Sequence, residues 1–379
     1  MELINFFLST DISIGIGLFE TASDFIIKQG SKKPGVIFDA NLQGENYFDD
    51  NLNKIRKNIP GCTMLTNKYN SEPTYTYLEE VKTELEKSSP DLIVAIGGGS
   101  TMDLGKGAAL LLTNDVPALS LKGFPENVND PLPLITIPSI FGSGSEVSYN
   151  AVFIDEIEGR KLGINTRKNF PTATLIDPLL TMSAPEKAVI SSALDSLVHC
   201  VDSFGSIKKT AFSRIFSKEG FRRTFDTLCN KNLDEPASRI DLAIGSICGT
   251  IALMNSGDGP TNGFAYYFGV KDKIPHGLAG GIFLKEVMNW NYRNGYNEYA
   301  QLYSGDDSIS SKYMNKKLFC EIDVLYNKYS VPKLINYGYN NENSSEIAKE
   351  VSHALKGSFK GNPIPFTVNS AKEILNKLL

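Results

Sequence analysis

Short apolar runs alternate with helical patterns through the first half of the chain. The apolar runs predict strands at residues 35–40, 62–65, 92–97 and 133–139. Helical patterns occupy residues 74–88 and the segment MDLGKGAALLLT that follows the third strand. This alternation predicts a parallel, doubly wound sheet with right-handed crossovers. Residues 151–163 depart from it, since AVFIDEIEGRKLG predicts a β-hairpin that turns at 156–159.

The pattern changes after the segment TLIDPLL at residues 174–180. Strand signals largely disappear, and amphipathic helical patterns run from about Pro185 to the C-terminus, broken by loops such as the one near 340–344. A chain of 379 residues is too long for one ordinary core. We therefore predict an α/β domain at residues 1–180 and an all-α domain at residues 181–379.

Composition narrows the classes of partner. Hydrophobic residues make up 41% and charged residues 21% of the chain, the net charge is −5, and both signs are mixed. Without a basic run we expect no nucleic-acid partner, and without about 18 consecutive apolar residues we expect no membrane span. The first residues lack a signal-peptide pattern, and five scattered cysteines without CxxC indicate neither disulfides nor a zinc knuckle. These features predict a cytoplasmic protein.

The segment AIGGGSTMDLGKG places three glycines between a predicted strand and a predicted helix. Gly97, Gly98 and Gly99 have no Cβ atom, so backbone N–H groups can approach a phosphate closely. A helix N-terminus adds unpaired donors and the positive end of the helix dipole, which suit a pyrophosphate. The alternative is a tight strand–helix turn that binds nothing, because GGGS is not the GxGxxG fingerprint.

An acidic residue, Asp39, ends the first predicted strand. In dinucleotide-binding folds a carboxylate at this place accepts hydrogen bonds from the adenosine ribose and repels a 2′-phosphate. The alternative is a solvated turn aspartate. If the glycine segment binds a dinucleotide, Asp39 favours NAD over NADP.

A carboxylate and an imidazole share one helix face in SSALDSLVHCVDS. Asp195 and His199 stand four residues apart, so both can hold the same cation, although an ordinary helical hydrogen bond is the alternative. His276 lies in a Pro–His–Gly turn that leads into a helix. His353 lies in a charged C-terminal helix without a nearby ligand partner, and we interpret it as structural.

Five segments in a fixed order resemble motifs of the iron-containing (group III) alcohol dehydrogenases, which share their architecture with glycerol dehydrogenase and dehydroquinate synthase. They are GGGSTMDLGKG, ITIPSIFGSGSEVS, LIDPLL, ALDSLVHCVDS and IPHGLAGG. The resemblance covers most of the chain. It implies a dehydroquinate synthase-like fold with an N-terminal dinucleotide-binding domain, a helical C-terminal domain and a divalent metal, iron or zinc, between them. It also implies a small-molecule alcohol or sugar substrate and a homodimer.

The resemblance assigns roles to individual residues. Metal-ligand positions of the family fall on Asp195, His199 and His276, which would also be catalytic. Cofactor-contact positions fall on Asp39, Gly97, Gly98, Gly99, Ser100, Asp103, Ser139, Ser143 and Lys161.

One metal-ligand position departs from the family. Its histidine would stand fourteen residues before His276, where this chain has Asn262, and Tyr266 takes the place of a second active-site histidine. Asn262 is then a weak fourth ligand or none. Because an amide oxygen is an uncharged, harder donor than imidazole, we expect weaker affinity for zinc or iron than in a relative with three histidines.

The expected reaction is NAD-dependent oxidation of a primary alcohol, or reduction of the aldehyde. The metal would polarise the substrate oxygen, hydride would pass to the nicotinamide, and Tyr266 is a candidate proton carrier. GGGSTMDL, VHCVDS, RKLGINT and Glu72–Pro73 resemble the 3-deoxy-manno-octulosonate 8-oxidase branch, which implies oxidation of a sugar acid's terminal hydroxyl in surface polysaccharide (lipopolysaccharide) biosynthesis. The alternatives are a metal-free, non-catalytic NAD-binding homologue and a lyase of the dehydroquinate synthase type. The phosphate-clamping basic residues of that lyase have no clear counterpart here.

Overall fold

The computed structural model describes residues 4–68, 72–304, 312–340 and 342–379. The chain forms two compact units. The sheet unit comprises Leu8–Pro185 and Asp234–Ile240, and the helical unit comprises Met1–Phe7, Glu186–Leu233 and Asp241–Leu379. The predicted division into an α/β domain at residues 1–180 and an all-α domain at residues 181–379 stays a prediction.

The described residues of the sheet unit form ten strands and four complete α-helices. The strands are β1 (Asp11–Ile14), β2 (Pro34–Asp39), β3 (Thr63–Asn67), β4 (Leu92–Gly97), β5 (Leu134–Pro138), β6 (Asn150–Ala151), β7 (Ile154–Asp155), β8 (Arg160–Lys161), β9 (Ile164–Asn165) and β10 (Ala173–Ile176). The helices are α1 (Ala22–Lys28), α2 (Asn46–Asn58), α3 (Tyr75–Glu86) and α4 (Gly99–Leu111).

Six strands form one parallel sheet in the order β1-β10-β5-β4-β2-β3. The four predicted strands correspond to β2, β3, β4 and β5. The predicted hairpin is present as two short antiparallel pairs, β6 with β9 and β7 with β8, and Asp155 pairs with Arg160 across its turn. The predicted fold class is confirmed.

The run LIVAIG forms a central strand because both faces of the sheet are covered. Ile93 and Ala95 of β4 belong to an apolar cluster with residues of α3 and α4. The alternate residues Val94 and Ile96 belong to a second cluster, with residues of α1 and α2. A strand buried on both faces needs apolar residues at every position, which explains the continuous run.

The remaining helices are α5 (Glu186–Gly205), α6 (Ala211–Asn230), α7 (Pro236–Met254), α8 (Pro260–Lys271), α9 (His276–Arg293), α10 (Tyr299–Ser304), α11 (Lys312–Lys328), α12 (Ser344–Ala354), α13 (Lys356–Lys360) and α14 (Val368–Leu378). Among the described residues α7 alone has the length and apolar composition of a membrane span. Its apolar window is 67% buried inside the structure, as is typical of a core helix.

Parallel strands bring three predicted cofactor residues to one edge of the sheet. Asp39 ends β2 and Gly97 ends β4, and these strands are neighbours with Phe38 paired to Ile96. On the other side of β4, Gly97 pairs with Pro138, and the N–H of Ser139 donates to the Gly97 carbonyl at 3.0 Å. Ligands of open α/β sheets bind at this carboxyl edge.

Candidate functional site

The three glycines after β4 have different surroundings. A Cβ at Gly97 would lie 2.9 Å from the Thr101 Cβ and 3.0 Å from the Asp39 Cβ, and one at Gly99 would lie 2.7 Å from Ser143 Oγ. A Cβ at Gly98 would meet only Ile140 Cγ2, at 3.5 Å. Gly97 and Gly99 therefore permit close protein packing, whereas Gly98 leaves open space beside the backbone.

Helix α4 begins at this open position. Its N-cap is Gly98, which provides no side-chain cap for the first turn, and Ser100 is the second helical residue. The first N–H groups of a helix lack partners within the helix and suit an anion such as a phosphate. The loop is fixed from the side, since Asn67 Nδ2 at the end of β3 donates to Thr101 Oγ1 at 2.9 Å.

Gly98→Ala should leave the fold intact and weaken NADH binding about tenfold, or about 1.4 kcal/mol. Its methyl group would occupy the space that a phosphate needs to reach the backbone. Fluorescence titration with NADH and thermal unfolding measure the two effects. Gly97→Ala is the contrasting variant and should lower the unfolding temperature. Unchanged NADH affinity of Gly98→Ala would show that no phosphate approaches this turn.

Asp39 lies beside the glycine turn with one carboxylate oxygen already used. Its Oδ1 accepts hydrogen bonds from the backbone N–H and from Nδ2 of Asn41, both at 2.9 Å. These contacts fix the side chain at the carboxyl end of β2. A carboxylate held there matches the predicted ribose contact.

Asp103, a predicted cofactor residue, is held by protein groups. Its Oδ2 accepts from the Val152 N–H at 2.9 Å, and its Oδ1 accepts from Ser145 Oγ and lies 3.4 Å from Lys106 Nζ. Both carboxylate oxygens of Asp103 therefore already have protein partners. The contact of Asp103 with the cofactor stays a prediction.

Lys106 ties α4 to the segment that contains the GSGSE motif. Its fully buried ammonium donates to Ser145 Oγ at 2.7 Å, to Ser148 Oγ at 3.1 Å and to the Asn150 carbonyl at 2.8 Å. Burial lowers the pKa of this lysine, and the Asp103 carboxylate opposes that shift. The contacts fix the segment beside Gly99, where Ser143 lies.

Glu146 is buried next to this ion pair. Neither of its carboxyl oxygens has a side-chain or backbone partner in the described ranges apart from its own N–H. Burial, the largest effect, raises the pKa of Glu146 from its ordinary 4.5 to about 7, against the attraction of Lys106. The group therefore exchanges its proton near neutral pH.

Glu146→Gln should stabilise the protein at about pH 8 and have much less effect at about pH 5. The raised pKa means that the folded state binds this proton more tightly than the unfolded chain does. The resulting stabilisation is complete below pH 4.5 and is lost as the pH rises through about 7. The neutral amide avoids this loss, of about 3 kcal/mol. Thermal unfolding at both pH values measures it, and an equal change at both would contradict the buried titration.

Lys161 of the hairpin, another predicted cofactor residue, forms an ion pair with Glu72. Its Nζ lies 2.6 Å from Glu72 Oε1, and its side chain is only 5% exposed. Glu72 is close enough to Asp103 to raise the pKa of that carboxyl, although burial is the main cause of the increase. Glu72 thus lies between Lys161 of the hairpin and the buried Asp103 carboxylate on α4.

One face of α5 presents the predicted metal ligands in the helical unit. Asp195 Oδ1 lies 3.6 Å from His199 Nε2, and both side chains are almost completely buried. The other ring nitrogen, His199 Nδ1, lies 3.4 Å from Thr250 Oγ1. A partner on Nδ1 orients the ring so that Nε2 faces the carboxylate, as is usual for metal-binding histidines.

Small residues bring His276 to the same carboxylate. A Cβ at Gly277 would lie 2.0 Å from the Ser191 carbonyl oxygen and 2.8 Å from the Asp195 Cβ, so α9 begins in direct contact with α5. The Leu278 N–H donates to Ser191 Oγ at 3.1 Å. His276 Nε2 then lies 3.8 Å from Asp195 Oδ1.

Helix α8 adds the two residues that depart from the family pattern. Asn262 Oδ1 lies 3.0 Å from His276 Nε2, and Asn262 is 3% exposed. The Tyr266 ring lies 4.9 Å from the His276 ring, centroid to centroid. All four predicted metal residues and Tyr266 are therefore brought together, while their roles stay predictions.

The donor set fits a divalent cation in chemical type. Asp195 Oδ1 is buried, makes no hydrogen bond to any described residue, and faces two imidazole nitrogens. In the described ranges no three His, Cys, Asp or Glu side chains form a complete metal-binding group. One carboxylate, two imidazoles and the neutral amide oxygen of Asn262 lie together here, and donors of these types suit iron, zinc or manganese.

Several residues that contact the predicted cofactor residues or the predicted metal ligands were not themselves predicted from the sequence. In the sheet unit they are Asn67, Glu72, Thr101, Lys106, Ser145 and Glu146, and in the helical unit they are Asp202 and Thr250. Asp202 alone carried a readable signal. It lies seven residues after Asp195 and three after His199, on the same helix face, and accepts from the Asn262 N–H at 2.9 Å.

Family models match nearly the whole chain. Residues 9–178 match the model for iron-containing alcohol dehydrogenase, and residues 189–379 match the C-terminal model of the Fe-containing alcohol dehydrogenase family. The alcohol dehydrogenase of Thermococcus barophilus is 26% identical over 98% of both chains.

Two further proteins are similar to this chain. Probable alcohol dehydrogenase EutG of Escherichia coli is 28% identical over 58% of this chain, and the match spans little more than half, 56%, of that protein. The structure of sulfoacetaldehyde reductase from Bifidobacterium kashiwanohense in complex with NAD+ has a TM-score of 0.89 and 19% identity, and the match covers 100% of this chain and 99% of that one. The structural likeness shows a shared fold.

The matches agree with the observed architecture. They confirm the predicted enzyme class, an oxidoreductase of the alcohol dehydrogenase type, at the level of the family. The chain belongs to the iron-containing alcohol dehydrogenase family.

Proposed function

We propose that the protein is an NAD-dependent, metal-assisted dehydrogenase that interconverts a primary alcohol and its aldehyde. The observation that carries this proposal is the buried Asp195 Oδ1, which makes no hydrogen bond to a described residue and faces His199 and His276. A buried carboxylate oxygen without a donor is costly unless it binds a proton or a cation. Two imidazole nitrogens beside it favour a cation.

NAD is the proposed cofactor. Gly98 leaves space beside an uncapped helix N-terminus, which supports a phosphate contact. The Asp39 carboxylate beside that turn supports a ribose with a free 2′-hydroxyl. Ser100, Ser139, Ser143 and Lys161 complete the proposed cofactor residues.

The metal, when bound, would act as a Lewis acid on the substrate oxygen, and NAD would accept the hydride. Asp195 supplies the negative charge of the ligand set, and Thr250 orients His199. Gly277 allows His276 to approach Asp195. The Tyr266 hydroxyl group, on the ring beside His276, is the proposed proton carrier.

Aldehyde reduction by the purified, metal-loaded protein tests the proposal. The protein is loaded with Fe²⁺ without oxygen and supplied with NADH and a panel of short, polar and sugar-acid aldehydes. We expect NADH consumption with at least one class and its loss after chelation. No turnover of any aldehyde or alcohol, with metal and NADH both shown to be bound, would contradict the proposal.

A sugar acid such as 3-deoxy-manno-octulosonate is the proposed substrate in particular. This proposal is supported by the resemblance of four segments to the 3-deoxy-manno-octulosonate 8-oxidase branch. They are GGGSTMDL, VHCVDS, RKLGINT and the Glu72–Pro73 pair. The test compares kcat/KM for this sugar acid with kcat/KM for ethanol and propane-1,3-diol. A preference for the simple alcohols would contradict it.

A homodimer and a cytoplasmic location are further proposals, and the first is tested by the mass of the protein in solution.

A metal-free, NAD-binding homologue is the second candidate. The hydrogen-bonding distance between His276 Nε2 and Asn262 Oδ1 favours it, because that contact occupies a nitrogen that a metal needs. Elemental analysis of the purified protein separates the candidates. Stoichiometric iron or zinc supports the enzyme, whereas a protein that binds NAD and takes up no divalent metal supports the homologue.

A further inference from the structure

Asn67 is a buried amide at the carboxyl end of the edge strand β3. It is 1% exposed, and in the register of the sheet it pairs with Asp39, the last residue of β2. A buried amide is costly unless it is hydrogen-bonded, and asparagine is uncommon in strands. Asn67 Nδ2 donates to Thr101 Oγ1 at 2.9 Å, and Thr101 is also 1% exposed. This hydrogen bond accounts for the buried NH2 group.

The hydrogen bond crosses the carboxyl end of β2. In the sheet β2 lies between β3 and β4, and α4 follows β4. Asn67 ends β3 and Thr101 lies in the first turn of α4, so the bond joins the segments on both sides of Asp39. Asp39 is the proposed ribose contact, and the first turn of α4 is the proposed pyrophosphate contact. The bond therefore connects the two parts of the proposed cofactor site.

Thr101 packs closely against the glycine turn. A Cβ at Gly97 would lie 2.8 Å from Thr101 Oγ1 and 3.0 Å from the Asp39 Cβ. Side chains packed this closely cannot shift without moving the backbone between them. The position of Thr101 therefore determines how far the N-terminus of α4 lies from Asp39.

The first turn of α4 needs a contact from the side because it has no side-chain cap. A capping side chain would stabilise the turn, but it would occupy N–H groups that a phosphate needs. Here the N-cap is Gly98, and the Thr101 N–H donates to the Gly98 carbonyl at 3.0 Å. The phosphate would then bind the N–H groups of Gly99 and Ser100. The bond from Asn67 fixes the turn and uses neither of them.

We propose that Asn67 and Thr101 are positioning residues for the dinucleotide. Their hydrogen bond fixes the separation between the Asp39 carboxylate and the phosphate-binding turn, so that one cofactor molecule reaches both. Two contacts with one ligand reinforce each other only when the geometry allows both to form at once. This inference rests on the proposed NAD-dependent function and assigns a determinant of cofactor affinity.

Affinity for the whole cofactor and for its parts tests the inference. NADH binding is measured by fluorescence titration, and binding of ADP-ribose and adenosine by displacement of NADH. Thr101→Val keeps the shape of the side chain and removes the acceptor of the bond. It should weaken NADH and ADP-ribose binding by about fivefold, or about 1 kcal/mol, the contribution of one hydrogen bond. Adenosine has the ribose without the pyrophosphate, so its affinity should change by less than about twofold.

A double-mutant cycle tests whether the two residues act through one bond. Asn67→Leu should weaken NADH binding as Thr101→Val does, and the double variant should be weaker than either by less than about twofold. Thr101→Ser keeps the hydroxyl group and should bind NADH within about twofold of the parent. Ser23→Ala is the matched control, because Ser23 Oγ accepts from Asn58 Nδ2 at 3.0 Å between α1 and α2. It should leave NADH affinity unchanged, and thermal unfolding shows which variants are folded.

Four results would overturn the inference while leaving the proposed function intact. They are unchanged NADH affinity in folded Thr101→Val, additive losses in the double variant, an equal loss for adenosine and ADP-ribose, and a loss in Thr101→Ser as large as in Thr101→Val. The last result would assign the effect to side-chain packing and not to the hydrogen bond. Failure of the parent protein to bind NADH would overturn both the inference and the NAD-dependent function.

Discussion

Asp195→Asn is expected to abolish stoichiometric metal binding and to lower kcat/KM for alcohol oxidation by about 10³-fold. The substitution keeps the shape of the side chain, so the contact of α9 with α5 at Gly277 is preserved. It removes the negative charge from the oxygen that both imidazoles face. A metal ion contributes several kcal/mol to the transition state, and each 1.36 kcal/mol changes the rate tenfold.

Metal content by elemental analysis and steady-state kinetics measure the effect of Asp195→Asn. NADH affinity should stay the same, because the proposed cofactor residues belong to the sheet unit. Asp323→Asn, which alters an exposed ion pair with Lys285, is the control and should keep metal and activity. Full activity of Asp195→Asn would exclude this residue as a ligand.

Asp39→Ser is expected to raise the ratio of kcat/KM for NADP+ to that for NAD+ by about 100-fold. Serine can still cap the short 3-10 turn that follows β2, as the carboxylate does through the Asn41 N–H. It removes hydrogen bonds from the ribose to a charged group, which contribute about 1.5–3 kcal/mol each. It also removes the repulsion of a 2′-phosphate.

Kinetics with both cofactors measure the ratio for Asp39→Ser. Asp24→Ser, in the neighbouring helix α1 and exposed, serves as the control and should leave it unchanged. If Asp39→Ser keeps the cofactor preference of the parent, the carboxylate does not contact the ribose.

Strands β2, β4 and β5 were predictable because each is a buried run of mostly apolar residues. Strand β10 was not predicted, since its four residues, ATLI, are too few for a periodic signal. Helix α2 was also not predicted, although Phe48, Leu52 and Ile55 bury one face of it. The spacing of these three residues, i, i+4 and i+7, is the signal that could have predicted this helix.

The proposed cofactor residues and metal ligands, with the residues that contact them, were predictable only in part. Asp195 and His199 are visible because their spacing repeats that of a helix. Thr250 is not, because it lies 51 residues from His199 and only the folded chain brings the two together. Lys106 was concealed for another reason, since a lysine in a helical pattern is usually solvated and here it is fully buried among hydroxyl groups.

Transfer of a deuterium label tests the central claim most directly. The Fe²⁺-loaded protein is mixed with NAD+ and a primary alcohol deuterated at its carbinol carbon, and the NADH formed is analysed by mass spectrometry. Direct hydride transfer predicts one deuterium in each NADH. Unlabelled NADH, or no NADH when both the metal and NAD+ are shown to be bound, would contradict the assignment as a metal-assisted, NAD-dependent alcohol dehydrogenase.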